Sequence, residues 1–186
     1  MTREFLLAGF GGQGVMSLGM VLTYAGMLEG RQVSWMPSYG PEQRGGTANC
    51  SVIISTEPIG CPVVTEPDVL VAMNPPSWER FCGAVRPGGL AVVNSSMVKV
   101  SRAREDIRLT QIPATSLAEG LGNLRMANMV VLGALVGLTG VVGMDSVKKA
   151  LDKVFPGREH LVAANRAALD KGLAWVTGGA AAGAAG

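Results

Sequence analysis

The sequence is short of charge. Of its 186 residues 16% are charged and 48% hydrophobic, and the formal net charge is +2. Disordered chains show the opposite balance, so this one is expected to fold around a buried core. Its basic residues are scattered, which argues against a nucleic-acid binder built on a concentrated basic face. Such sparse charge also favours a domain that hides part of its outside against partners. Cysteine is equally scarce: Cys50, Cys61 and Cys82 stand far apart with no Cys-x-x-Cys pair. Neither a zinc site nor an iron–sulfur cluster can be assembled from that spacing, so no metal site is expected in this chain. The three are read as reduced, mostly buried thiols of a cytoplasmic protein. The single histidine, His160, falls in a helix-like segment near the C-terminus and reads as a surface residue, not a general base. The chain starts Met1-Thr-Arg-Glu4 and runs directly into a strand-like segment, without the apolar stretch and cleavage site of a secretory signal.

One segment departs from this restraint. Met126 to Val142 is almost wholly apolar, interrupted by Gly133, Gly137 and Gly140. At about 17 residues it reaches only the lower limit for a membrane span. A buried or interface helix accounts for it better, and the Gly133-x-x-x-Gly137 spacing permits close helix contact.

Elsewhere strand and helix signals alternate. Glu4–Ala8 enters a glycine cluster, and Val15 to Leu28 reads as a helix that Gly30 terminates. Gln32–Met36 reads as a second strand, followed by an irregular segment, Pro37 to Gly46, too rich in Gly and Pro for regular structure. Thr47–Ser55 partly alternates polar and apolar residues, as an exposed or edge strand does. Asp68–Met73 is continuously apolar after its first residue, in the manner of a buried parallel strand. Asn74-Pro75-Pro76 opens a helix to about Ala84; Leu90–Asn94 and Ile107–Ile112 are further strands. Two helical stripes follow, one through Val147, Ala150, Leu151, Val154 and Phe155, the other through Leu161, Ala164, Ala168, Leu169 and Val176. The pattern predicts an α/β, Rossmann-like fold: a mostly parallel sheet with helices on both faces, in one domain over residues 1–177. Residues 178–186 are a Gly/Ala-rich tail whose composition permits disorder.

Gly9-Phe-Gly11-Gly12-Gln13-Gly14 fits G-x-G-x-x-G between strand and helix. Glycines there let the backbone turn and approach a phosphate, and the helix N-terminus offers free N–H groups. The same glycines also serve if the need is only tight strand-to-helix packing. A nicotinamide site requires an acid about 20 positions on, at the end of the second strand. That strand ends Val33-Ser34-Trp35-Met36-Pro37 and supplies none, which disfavours a dinucleotide dehydrogenase.

Ser38-Tyr39-Gly40-Pro41-Glu42-Gln43-Arg44-Gly45-Gly46 is the second unusual stretch. Surface loops of this composition tend to carry function. Arg44 can clamp a phosphate or carboxylate in bidentate fashion, and Tyr39 can stack or donate a hydrogen bond. A structural turn with a local Glu42–Arg44 pair is the plainer alternative. Both loops follow strands, so both are expected on one edge of the sheet.

Taken with Pro67-Asp-Val-Leu-Val-Ala72 and Asn128-Met-Val-Val-Leu-Gly133, these two motifs resemble the gamma subunit of 2-oxoacid:ferredoxin oxidoreductases, over about Arg3 to Ala174. The likeness is nearest to the 2-oxoglutarate and branched-chain types. It implies that a 2-oxoacid, coenzyme A and oxidised ferredoxin give acyl-CoA, carbon dioxide and reduced ferredoxin. It places thiamine diphosphate and iron–sulfur clusters on partner subunits, one thiamine-binding and one ferredoxin-like. For this chain it implies a wall of the active site and a possible site for coenzyme A. The candidate binding residues are Gly9, Gly11, Gly12, Gln13, Gly14, Ser38, Tyr39, Arg44 and Gly45; no catalytic residue is assigned. A pure assembly subunit and an indolepyruvate-type subunit stay open as alternatives.

Overall fold

A computed structural model describes residues 1–40, 46–100 and 104–178. Six strands form one sheet: β1 (Thr2–Phe10), β2 (Gln32–Tyr39), β3 (Thr47–Ser55), β4 (Val69–Ala72), β5 (Leu90–Asn94) and β6 (Arg108–Ile112), in the order β2-β3-β1-β4-β5-β6. The pairs β1/β4, β4/β5 and β5/β6 are parallel, whereas β3 runs antiparallel to both β1 and β2. Five strands therefore point one way and only β3 is reversed. The sheet is mostly parallel, as the alternating pattern predicts.

Among the described residues six α-helices complete the fold: α1 (Val15–Leu28), α2 (Pro75–Phe81), α3 (Ala114–Glu119), α4 (Ala127–Thr139), α5 (Met144–Val154) and α6 (Glu159–Thr177). One face of the sheet, with Phe5, Leu7, Val52, Val71 and Val92, shares a large core with α1, α3, α4, α5 and α6. The other face, with Leu6, Leu70, Ala72, Ala91 and Val93, packs on Trp78 of α2 and on Val85, Val98 and Ile107. Helices thus cover both faces, unequally. The apolar segment is α4, in which every residue from Ala127 to Val136 is buried. A helix apolar all round must be enclosed by protein or lipid. Here protein encloses it, and among the described residues no helix is long and apolar enough to cross a membrane.

Three expectations need correction. β2 extends past Met36 to Tyr39, so Pro37-Ser38-Tyr39 belongs to a strand and not to an irregular segment. Pro37 is tolerated because β2 is the sheet's edge, where a missing N–H breaks no ladder on the open side. β3 is not an edge strand: it lies between β1 and β2, with Cys50 to Ser55 buried. Its alternation misleads because Ser55, only 2% exposed, satisfies its hydroxyl internally, against Thr2 Oγ1 at 2.8 Å and the Glu57 N–H at 3.0 Å. Of the cysteines only Cys50 is buried; Cys61 is exposed and Cys82 half-buried. Cys61 lies in the Pro-containing stretch between β3 and β4, which has no regular structure with which to cover it. His160 is exposed, as expected.

At the sheet edge where the parallel strands begin, Asp68 is buried and accepts the Glu4 N–H at 2.7 Å. Arg86 pairs closely with it and Arg3 lies 3.9 Å away. Burial, reinforced by Asp68 and offset by Arg86, raises the pKa of the Glu4 carboxyl. This polar centre joins β1, β4 and the turn before β5, at the end of the sheet opposite the glycine loop.

Candidate functional site

The glycine loop leaves β1 at its carboxyl end. Gly9 is still in β1, paired with Ala48. Gly11 donates its N–H to the Gly46 carbonyl at 2.9 Å, tying the loop to the end of the second glycine-rich segment. The two motifs thus share one edge of the sheet, as the strand-end argument expects. Gly12 (φ 102°) and Gly14 (φ 73°) have left-handed backbone, which favours glycine. A Cβ at Gly12 would meet nothing within 4 Å, and the residue is exposed. A Cβ at Gly14 would lie 2.3 Å from Asn128 Nδ2, so that position needs glycine for space as well as for angle.

Gln13 turns inward. Its Oε1 accepts the Phe10 N–H at 2.8 Å and Asn74 Nδ2 at 2.7 Å, while its Nε2 donates to the Met73 carbonyl at 3.3 Å. Asn74 is fully buried and its Oδ1 caps α2 by accepting the Ser77 N–H at 2.9 Å. The amide chain Gln13–Asn74 therefore joins the ends of β1 and β4 and holds the loop in shape. Ser38 and Tyr39 close β2, pairing with Asn49 and Ala48, and the Tyr39 side chain is 61% exposed. Arg44 and Gly45 lie outside the described residues.

Beside the loop, at the carboxyl ends of β1, β4 and β5, a cleft of about 180 Å³ is lined by Gly12, Gln13, Met73, Asn94, Met97, Thr115, Leu124, Arg125 and Ala127. Ligands of open α/β sheets bind at this edge. Asn94, at the end of β5, donates through Nδ2 to Thr115 Oγ1 at 2.9 Å and accepts the Thr115 N–H at 3.3 Å, fixing α3 to the cleft wall. Asn128 reaches from the first turn of α4 to the Gly14 carbonyl at 3.0 Å. Among the described residues Arg125 is the one ionisable side chain in the lining. An arginine stays charged at any working pH, so the described walls bind and orient through a fixed charge and neutral polar groups. A larger cleft, about 350 Å³ between α5 and α6, is bordered by Asp152, Arg158, Glu159 and Arg166. It lies away from the strand ends and shares no residue with the loops.

Sequence reasoning missed Asn94, Thr115 and Arg125. An asparagine at the end of a buried strand was a usable signal for Asn94, because strand ends form the binding edge. Arg125 carried none; folding alone brings its turn to the loop.

An open, mostly parallel sheet with a glycine loop and a cleft at its carboxyl edge defines a Rossmann-like α/β domain. Residues 4–175 match the family model described as pyruvate ferredoxin/flavodoxin oxidoreductase, and the chain belongs to that family. The ketoisovalerate oxidoreductase subunit VorA of Methanothermobacter marburgensis is 43% identical over 171 residues, covering 91% of this chain and 35% of that protein. The chain thus spans about a third of that relative's length. The gamma subunit of a keto/oxoacid ferredoxin oxidoreductase from Geobacter sulfurreducens has a similar structure, with TM-score 0.81 and 31% identity, covering 95% of this chain and 99% of that one. A 2-oxoglutarate:ferredoxin oxidoreductase from Magnetococcus marinus, solved with 2-oxoglutarate, coenzyme A and succinyl-CoA bound, gives TM-score 0.88 at 28% identity, covering 95% of this chain and 31% of that one.

Proposed function

We propose that this chain is the gamma-type subunit of a cytoplasmic 2-oxoacid:ferredoxin oxidoreductase, forming one wall of the active site and receiving coenzyme A. Thiamine diphosphate and the iron–sulfur clusters belong to partner subunits, and ferredoxin accepts the electrons. The observation that carries this reading is the braced cleft, with Arg125 in its lining, beside an open glycine loop, in a domain similar to one solved in a complex with coenzyme A. Gly12, with Gly11 and Gly14 shaping the loop around it, offers backbone to a phosphate; Gly9 and Gln13 hold that loop, and Gln13 also lines the cleft. Ser38 and Tyr39, at the end of β2, form the second rim, and the role proposed for Arg44 and Gly45 is to bind the ligand's phosphate. Thiamine supplies the carbanion chemistry when bound in the partner; this chain's residues position the thiol acceptor.

The test is reconstitution. Co-expressed with its thiamine-binding and ferredoxin-like partners, the chain should support 2-oxoacid- and coenzyme A-dependent dye reduction, and alone it should support none. Turnover of NADH by the purified chain without partners would sink the proposal. A pure assembly role is the second reading, favoured by the exposed Met97, Leu121 and Leu124. It predicts that cleft substitutions weaken subunit association and leave the coenzyme A dependence of the intact complex unchanged.

A further inference from the structure

Arg125 sits in the single turn Leu124–Met126 that leads into α4. Its backbone N–H is held by Asn123 Oδ1 at 3.0 Å, and the Met126 N–H returns to the Asn123 carbonyl at 3.0 Å. The turn is thus fixed by its own backbone and leaves the guanidinium uncommitted. Arg3, Arg86, Arg104 and Arg166 each face a carboxylate. Among the described residues Arg125 makes no such ion pair, and no carboxylate of theirs lines the cleft to compete for it. Gly12 lines the same cleft, with nothing within 4 Å of where a Cβ would be. Met73, Met97, Leu124 and Ala127 supply apolar lining between these groups. An exposed cation at the lip of an otherwise neutral, partly apolar cleft suits a ligand with an anionic group attached to an apolar or aromatic body.

We propose that Arg125 is the specificity residue by which this subunit prefers a phosphorylated thiol acceptor, its guanidinium taking a phosphate of coenzyme A at the lip of the cleft. This rests on the coenzyme A reading above. Asn128, three residues on, is anchored to the Gly14 carbonyl, so the glycine loop and the Arg125 turn are held in one frame.

The experiment compares coenzyme A, 3′-dephospho-coenzyme A and pantetheine as acceptors for the assembled enzyme. R125A should raise KM for coenzyme A about tenfold, the scale of one charge-assisted contact, and shrink the preference over pantetheine by a similar factor. R125K should recover part of that preference, while R158A, in the cleft between α5 and α6, should leave the preference as it is. R125Q, which is shorter and uncharged but keeps a polar side chain, repeats the test should R125A assemble poorly. Collapse of only the step between coenzyme A and its dephospho form places Arg125 on the 3′-phosphate; equal loss for both places it on the diphosphate. A wild-type preference fully retained by R125A and R125Q removes the assignment alone. A wild-type enzyme with no preference for coenzyme A over pantetheine removes the coenzyme A reading, and this assignment with it.

Discussion

Asn128 Nδ2 donates to the Gly14 carbonyl at 3.0 Å, and the same amide occupies the space a Cβ on Gly14 would need. The Gly14 carbonyl also receives the Leu18 N–H at 3.0 Å, so one oxygen both opens α1 and anchors α4. G14A forces a left-handed alanine into that amide. It should destabilise the fold by ~2–4 kcal/mol, measured by urea unfolding. G12A has the same backbone problem but open space, and should cost only ~1 kcal/mol. Equal losses for the two would show that Asn128 yields freely.

Helices α4 and α6 cross at backbone distance. A Cβ on Gly133 would lie 2.0 Å from the Leu169 carbonyl oxygen, and one on Gly172 would lie 1.8 Å from that of Val130. Backbone cannot rotate away, so G133A and G172A should each lower stability by ~3 kcal/mol or more. G137A meets only the ends of Leu173 and Val176 and should cost far less. Thermal melts of the three variants give the comparison; G137A melting lowest would overturn it.

Cys50 packs under α1 beside Trp35, with its thiol 3.6 Å from the Val15 carbonyl. Burial pushes its pKa up to about 12, only partly countered by Trp35. A raised thiol pKa favours the protonated folded state. Its contribution to stability is therefore complete below the ordinary thiol value near 9 and is lost as pH rises toward about 12. C50A should flatten the alkaline fall in stability over that window. At pH 8, a thiol reagent should label exposed Cys61 in the native protein and reach Cys50 only on unfolding.

The buried Asp68 carboxylate is matched by Arg86, Arg3 and the Glu4 N–H. D68A leaves that N–H and the guanidinium groups unmatched and should cost ~2–3 kcal/mol in chemical denaturation. D68N keeps an acceptor for Glu4 and should cost less. The reverse order would mean that charge pairing adds nothing at this edge.

Gln13 binds the Phe10 N–H, Asn74 and the Met73 carbonyl at once. Q13A should speed hydrogen exchange at the Phe10 amide by about tenfold or more, because its acceptor is gone, while amides in the middle of β1 exchange as before. Unchanged exchange at Phe10 would remove the bracing role.

Local chemistry determined much of this protein. Glycines 9 to 14 between an apolar run and a helical stretch specified the β1–loop–α1 unit, and the missing acid after β2 disfavoured a nicotinamide site, because both depend on neighbours in the chain. Continuous apolar runs marked β4 and β5 for the same reason. Pairing and long-range contact were decided by tertiary structure. Whether β2 or β3 formed the sheet edge depended on strand order, which alternation within one strand does not encode. The shape of the glycine loop rests on Asn74 and Asn128, and its cleft on Asn94, Thr115 and Arg125, residues drawn from separate elements. Their proximity follows from parallel strands ending at one edge, where side chains remote in sequence meet around one opening.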